Sequence, residues 1–382
     1  MLRVRIRLLL IPPTGASLGL RTFLGQAPNF LNTAFEIPYV HQFSFGVQRQ
    51  VPGNILVDAS YVGSRSVQQS LTKGFNAIPL EAMNLGNPAL GGDPNYLNAL
   101  VPNPFAGLIP GTALNNATVA RSQLLRPFPQ FNNFNIQNLS TGRLWYNALQ
   151  VAVSKRYSHG LAFTASYTFS KNIEDEYLND QDLKPTRTLT AFDTPHRLAI
   201  GPSYELPFGK GRRFLSGGNP FLRGALGGWQ LTVTATFQSG APMGIPTSVY
   251  LIGDPRLENP TWDRMFKTGV IDTNGAVRNV ASGEQPVFAI RPTNSQRVTP
   301  SRYGNLRNLS DQSIDSSLIR NVRFRERWNL QLRVDAFNTF NHPVFSGNPN
   351  QTPTNVNFGK ILRDSGQSNA PRVIQLGARF LF

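Results

Sequence analysis

Residues Leu161–Lys171 read LAFTASYTFSK, a segment in which apolar residues alternate with small polar ones. Leu161, Phe163 and Phe169 fall on one side of an extended chain, and the intervening Thr and Ser residues fall on the other. A period of two is typical of a β-strand whose two faces meet different surroundings. The segment therefore predicts a strand with one apolar and one polar face.

The same pattern recurs along the chain and predicts nine strands of about ten residues each. That length suits a tilted strand that crosses a bilayer, whereas the strands of soluble sandwiches are usually shorter. The predicted strands cover Val40–Val51, Ile55–Gly63, Tyr146–Tyr157, Leu161–Lys171, His196–Leu206, Trp229–Gln238, Ser313–Phe324, Arg327–Phe337 and Arg372–Phe382.

The connections between these strands alternate between short and long. Short turns are predicted near Pro52, His159 and Arg325, and a link of moderate length covers 207–228. Short turns at one end of the strands and long loops at the other are typical of an outer-membrane barrel. The long, polar connections cover 65–143, 172–195, 239–310 and 338–370.

The sequence thus predicts an all-β protein, an antiparallel transmembrane β-barrel segment with long extracellular loops and short periplasmic turns. Nine strands make the first and last run in the same direction, which does not suit the even-numbered closed barrels of bacteria. We therefore expect an open, curved sheet with free edges at Val40–Val51 and Arg372–Phe382. Residues 1–39 are predicted to be an irregular N-terminal segment, and residues 40–382 the barrel part, located in the outer membrane.

The faces of the predicted strands assign their side chains to lipid or to the interior. Apolar residues on one face are expected to lie on the convex side of the sheet, against lipid, rather than between two packed sheets. We call these residues the lipid-facing set: Phe43, Phe45, Leu161, Phe163, Phe169, Leu231, Val233, Leu330, Leu332, Ile374 and Leu376.

Composition narrows the remaining classes of protein. The 382 residues include no cysteine, which excludes disulfides and thiolate metal sites. The net charge of +16 comes mostly from arginine, and the arginines are scattered between strands rather than grouped on a helix, so no nucleic-acid binding is predicted. The 33 glycines and 29 prolines indicate abundant turns. No apolar run is long enough for a transmembrane helix.

Several segments resemble the C-terminal barrel of TonB-dependent outer-membrane receptors, in the Oar-like branch whose members carry a carboxypeptidase-regulatory-like domain. The resemblance runs from about Val40 to Phe382. The segments that carry it are LLRPFPQF (Leu124–Phe131), YNALQVAVSKRYSHGLAFTASYTFSK (Tyr146–Lys171), DTPHRLAIGPSYELPFGKGRRF (Asp193–Phe214), GGWQLTVTATFQSGAPM (Gly227–Met243), LQLRVDAFNTFNHPVF (Leu330–Phe345) and the terminal strand.

The resemblance implies a barrel of 22 strands, an N-terminal plug and a TonB-contacting segment upstream of the plug. This chain departs from that pattern, because it has only nine predicted strands and no segment that could be a plug. The expected partners are outer-membrane lipid, the barrel-assembly machinery, the missing N-terminal strands and the plug, with TonB reached only through the missing part. The alternative is a self-contained small outer-membrane pore or barrel enzyme.

Two groups of residues are candidates for function. On the predicted strands, Asp58, Arg333 and Asp335 fall on the polar face and are expected to line the barrel interior. The apolar end of the chain looks like the signal by which the assembly machinery recognises outer-membrane proteins. The residues of this C-terminal assembly signal are Ile374, Leu376, Phe380 and Phe382.

No catalytic, cofactor-binding or metal site is predicted. GASLG at Gly15–Gly19 matches G-x-S-x-G but lacks the strand–turn–helix context of a nucleophile elbow. DTPH at Asp193–His196 could orient an imidazole, although a rim turn capped by Asp193 is the preferred interpretation. The acidic stretch Asn172–Asp182 matches no calcium-binding loop and predicts a solvated loop.

Overall fold

The computed structural model describes residues 17, 19, 21–217, 219–324, 328–345, 347–362 and 367–382. Nine long strands form one antiparallel sheet in which each strand pairs with its neighbour in chain order. We label them β1 (Tyr39–Val51), β2 (Ile55–Gly74), β3 (Asn135–Ser158), β4 (Leu161–Glu176), β5 (His196–Glu205), β6 (Trp229–Gln238), β7 (Asp311–Phe324), β8 (Trp328–Phe337) and β9 (Val373–Leu381).

The predicted all-β, antiparallel fold is confirmed, and the sheet is open. The pairing runs without interruption from β1 to β9, and these two described strands are not paired with each other. Each leaves one edge without a strand partner, as the count of nine strands predicts. The backbone groups on these two edges are therefore available to further strands.

Strict alternation of strand direction sorts the connections by length. The hairpins after β1 and β3, the link after β5 and the end of β9 all lie at one end of the sheet, and the long loops lie at the other. In the β3–β4 hairpin His159 and Gly160 both have positive φ, as tight hairpin turns require. The predicted turn at Arg325 lies outside the described residues; β7 ends and β8 begins at the same end of the sheet as the other short connections.

Cross-strand partners point to the same side of a sheet, so the register assigns every strand residue to a face. It pairs Phe45 with Tyr61 and Leu149 with Phe169, and it continues in step to β9. All of the lipid-facing set lies on this one face, and none of its members is buried. Phe45 is 75% exposed and Leu376 is 78% exposed, which fits a surface whose solvent is hydrocarbon.

Three strands extend well beyond their sequence pattern toward the long-loop end: β4 continues to Glu176 instead of ending at Lys171, and β2 and β3 are longer still. β2 continues to Gly74 and β3 begins at Asn135, so the connection predicted over 65–143 is shorter and starts from an extended hairpin. The register shifts between Ser66 and Lys73, where Gln68 has a positive φ of 58°. Such irregularities interrupt the alternation of faces, and the sequence pattern therefore ends before the strands do.

Part of the segment predicted to be irregular also forms a strand. Asn29–Leu31 pairs in parallel with the start of β3, and β1 begins at Tyr39. Residues 1–16, also in the segment 1–39, lie outside the described residues. The other short strands are Leu100–Pro102, Thr118–Ala120, Thr186–Leu189, Pro242–Gly244, Val249–Leu251, Val270–Ile271, Val277–Arg278, Phe288–Ile290 and Arg302–Arg307.

Helices are few and short. The α-helices are α1 (Leu80–Asn84), α2 (Arg121–Leu124) and α3 (Pro220–Leu226), and short 3₁₀ turns form at Pro88–Leu90 and Ala113–Asn115. Within the described part of the chain, none of the helices has the length and apolar character needed to cross a membrane.

The long connections after β6 and β8 fold together. We call the described residues of 239–310 and 338–362 the loop cap, because they share a hydrophobic core. Both connections leave the sheet at its long-loop end. Its small sheet joins Val249–Leu251, Phe288–Ile290, Val270–Ile271 and Val277–Arg278. The core residues are Met243, Ile245, Val249, Met265, Phe266, Val270, Val287, Phe288, Leu306, Phe358 and Ile361.

We expect Phe288→Ala to open the loop cap. Phe288 is 1% exposed, and its ring lies 5.9 Å from that of Phe266 and 5.6 Å from that of Phe358, between ring centroids. Truncating a buried Phe costs roughly 3–5 kcal/mol, so protease added to intact outer membranes should cleave 239–310 faster. Val277→Ala is the control, since Val277 is half-exposed in the same small sheet. Equal cleavage rates in both variants would contradict a shared core.

Candidate functional site

The inner face of the sheet borders an open cavity lined mostly by small side chains. Residues from all six strands β1–β6 line one space of about 640 Å³, which requires the sheet to curl around it. Along one cross-strand row the register aligns Gln48, Asp58, Ala152, Ser166 and Ala199. Small and polar side chains leave this face open to water and solutes, opposite the face of the lipid-facing set.

The three residues predicted to line the interior lie on the face opposite the lipid-facing set, at two separate places, and their contact with a barrel interior stays a prediction. Asp58 is on β2, where its Oδ1 accepts a hydrogen bond of 2.6 Å from the Ser60 hydroxyl. Arg333 and Asp335 are neighbours on β8, and Arg333 Nε lies 2.7 Å from Asp335 Oδ1. Ser317 of β7 also donates to Asp335, which is 8% exposed. The structure therefore joins Arg333 to Asp335, while Asp58 lies six strands away in the sheet.

A second pocket lies on the inner face nearer to the long loops. The sequence analysis did not predict it. It has a volume of about 290 Å³, and Arg197 has no ion-pair partner among the described residues. Phenol, amide, hydroxyl and guanidinium groups converge there beside one aromatic side chain, which suits a polar solute. The only sign of this pocket in the sequence is the alternation that places Tyr146, Gln150 and Thr168 on the polar face of β3 and β4. Its lining includes Tyr146, Gln150, Thr168, Asn172, Phe192 and Arg197.

The acidic stretch Asn172–Asp182 is not a solvated loop, and that prediction was wrong. Its first half is the end of β4, where the side chain of Asp175 is fully buried and forms a 2.9 Å ion pair with Arg143. Glu174 pairs with Arg302 of the loop cap at 2.8 Å. The carboxylates meet arginines that are distant in sequence, so local composition could not reveal their burial.

A partly buried arginine, Arg297, lies where the connection after β4 meets the loop cap. We call this long-loop end of the sheet the rim. The amide nitrogen of Arg297 donates to Asn179 Oδ1 at 2.8 Å, and its Nη2 has no hydrogen-bond partner among the described residues. Burial lowers the pKa of Arg297 from its ordinary value, and the nearby Glu176 carboxylate opposes that shift. These contacts tie the connection after β4 to the loop cap.

Asp193 and His196 of the DTPH motif form hydrogen bonds with different partners. Asp193 Oδ1 accepts from the amide of Asn172 at 2.6 Å, and Oδ2 pairs with Arg307 at 2.5 Å. His196 Nδ1 instead lies 2.8 Å from the Tyr167 hydroxyl. The carboxylate therefore anchors the rim, in line with the rim-turn interpretation, and does not orient the imidazole.

The other sequence motifs form no catalytic or metal-binding arrangement in the part of the chain that the structure describes. Ser17 and Gly19 are the described residues of GASLG, and Gly15, Ala16 and Leu18 lie outside that part. Among the described residues no group of three or more His, Asp or Glu side chains is arranged to hold a metal ion. Of the assembly signal, Phe382 is 94% exposed and Phe380 is half-exposed at the open edge.

We expect Asp193→Ala to destabilise the rim. The Asp193 side chain is 1% exposed, and its loss would leave the 20% exposed Arg307 without its carboxylate, at a cost of roughly 3–5 kcal/mol. In semi-native gels of the assembled outer-membrane protein that contains this chain, the temperature at which the folded band disappears should fall. Asp254→Ala is the control, since the Asp254–Arg256 pair is exposed and exposed ion pairs contribute little to stability. Equal shifts in the two variants would show that the Asp193 pair is not structural.

Comparison with known proteins places the chain in a family. Its sequence matches the outer membrane beta barrel domain over residues 7–375. No curated protein matches it. Among solved structures it is similar to the outer membrane transporter YddB from Escherichia coli, with 8% identity over 94% of this chain and 34% of that chain and a TM-score of 0.37.

Two further structures are similar over much of the chain. The FrpB iron transporter from Neisseria meningitidis shares 10% identity over 92% of this chain and 32% of its own, with a TM-score of 0.36. The toluene transporter TodX from Pseudomonas putida shares 10% identity over 78% of this chain and 55% of its own, with a TM-score of 0.23.

The chain thus spans about a third of the length of the YddB and FrpB structures. The family match covers nearly all of the sequence and agrees with the open antiparallel sheet and its apolar outer face. The chain therefore belongs to the family of outer membrane beta barrel domains, and it resides in the outer membrane.

Proposed function

We propose that this chain is the C-terminal barrel portion of a TonB-dependent receptor of the Oar-like branch, a binding and transport component rather than an enzyme. The observation that carries the proposal is the open sheet, in which β1 and β9 each have one edge with no strand partner among the described residues. Strands from another part of the receptor close the barrel. A plug and a TonB-contacting segment, also outside this chain, complete it.

Free edges cannot persist in hydrocarbon. β1 has 13 residues and β9 has 9, and each leaves a row of backbone N–H and C=O groups without a strand partner. Each such group costs several kcal/mol in the bilayer core, so two open edges together cost on the order of tens of kcal/mol. Additional strands on both edges remove this cost. This supports a larger barrel in which β1 and β9 are interior members of the wall.

The inner face supports the transport role. Its cavity is lined mostly by small side chains together with Gln48, Asp58 and several hydroxyls, and the pocket around Arg197 presents hydrogen-bonding groups of several kinds. Asp58, Arg333 and Asp335 supply further charge on the same face, where a plug or a passing solute would contact them. We assign solute contact to this inner face.

The chain expressed alone should not form a closed barrel. Directed to the outer membrane of a Gram-negative host, it should be degraded or aggregate, because its edges remain unpaired. A longer product that includes the coding sequence upstream should migrate as a heat-modifiable band in the outer-membrane fraction. A heat-modifiable band from the short chain alone would overturn the proposal and favour the self-contained small pore.

The assembly signal can be tested within that longer product. Phe382→Ser should lower the amount of assembled protein several-fold, because the terminal aromatic of β9 is proposed to contact the assembly machinery. Phe340→Ser is the control, since Phe340 is 73% exposed but lies in a loop at the other end of the strands. Immunoblots of outer-membrane fractions measure both. Equal amounts of the two variants would remove Phe382 from the signal.

A further inference from the structure

A notch opens on the outer wall of the sheet, directly below the loop cap. It has a volume of about 660 Å³ and lies where β4 leaves β5 and pairs instead with Thr186–Leu189. Phe169, Lys171 and Ile173 of β4 contribute from the lipid-facing side, and His196 stacks on Phe169 at 5.1 Å between ring centroids. We call this space the rim notch.

The charged side chains of the rim notch are mostly basic. Lys171, Arg187, Arg256, Arg302 and Arg307 line it, and the lining carboxylate among the described residues is Asp193. Arg307, Arg302 and Arg256 each have a carboxylate partner in Asp193, Glu174 and Asp254. Lys171 and Arg187 have none within the described part of the chain, and both are exposed. The register places Arg187 opposite Asp175, but that carboxylate pairs with Arg143, so Lys171 and Arg187 both lack an ion pair on the outer wall among the described residues.

Trp145 marks the level of the notch relative to the membrane. Arg187 lies over its ring at 4.4 Å from the centroid, and the register places Trp145 beside Ile173 on the outer face. Tryptophans on the outer wall of membrane proteins favour the headgroup region. The long-loop end of the sheet is the extracellular end, so the notch lies at the outer leaflet.

A smaller groove adjoins the notch at the long-loop end of β5, β6 and β7. It has a volume of about 260 Å³, shares His196 and Ser239 with the notch, and is lined by Tyr167, Leu198 and Phe237 and also by Asp311 and Gln312. Tyr167, Leu198 and Phe237 point outward by the register. A cationic notch beside a mainly apolar groove matches a lipid with an anionic headgroup and a hydrocarbon chain.

We propose that the rim notch binds a phosphate group of the lipopolysaccharide of the outer leaflet, with an acyl chain along the apolar groove. An exposed, unpaired lysine at the boundary of the hydrocarbon is unfavourable, and a headgroup phosphate compensates its charge. Arg187 is held against Trp145 and offers its guanidinium for two hydrogen bonds to the same phosphate. The inference depends on the outer-membrane location and not on the proposed transport role.

The test measures lipid binding to the assembled outer-membrane protein that contains this chain, purified in a neutral detergent. Bisphosphorylated lipid A should bind more tightly than its dephosphorylated form. Lys171→Gln with Arg187→Gln should weaken lipid A binding about thirtyfold, as expected for two charges that attract anionic lipid. A variant that keeps Lys171 and carries only Arg187→Lys retains both positive charges. It should bind lipid A with most of the affinity of the unaltered protein.

The matched control removes the same charge elsewhere. Arg49 points outward at the opposite end of the sheet, and Lys210 is exposed in the link after β5, so Arg49→Gln with Lys210→Gln should leave binding unchanged. Binding by the unaltered protein should weaken as salt is added. Equal binding of dephosphorylated lipid A, equal losses in the two double variants, or displacement by inorganic phosphate at the same concentration would each overturn the assignment to lipopolysaccharide.

Discussion

The hydrogen bonds between neighbouring strands are the interaction on which the rest of this structure depends. In hydrocarbon no water is available to backbone N–H and C=O groups, so each strand must satisfy them on a partner. The chain does this by pairing nine strands in the order in which they occur. Chain-order pairing fixes both the division of faces and the separation of short turns from long loops. Pairing in chain order also places β1 and β9 at the two ends of the sheet, where the outer edge of each has no strand partner among the described residues.

The strands could be predicted from the sequence because each one separates lipid from a polar interior. Residues such as Phe163 and Thr164 alternate for that reason, and the alternation is visible without any long-range information. Above the membrane both faces meet water or loops, and the pattern fades. There the sequence missed the upper parts of β2 and β3, where the register also shifts.

The loop cap and the rim contacts could not be predicted, for a different physical reason. Core residues such as Met243, Val249 and Phe288 are spread over a long connection with no common period, and they meet only after the chain has folded. The buried pair of Asp193 with Arg307 joins residues more than a hundred positions apart. From local composition, charged residues of this kind are predicted to be exposed to solvent. Their burial depends instead on ion pairs with residues that are distant in the sequence. The inner-face positions of Asp58, Arg333 and Asp335 needed only the parity of their strands.

The shared core of the loop cap also has a consequence for how the protein crosses its membrane. Phe358 and Ile361 belong to the second connection and Phe288 to the first, so the core can form only after both have reached the outer side. The core is therefore incomplete while either connection remains on the inner side. Once Phe288 packs against Phe358, withdrawing either connection requires separating the two halves of the core.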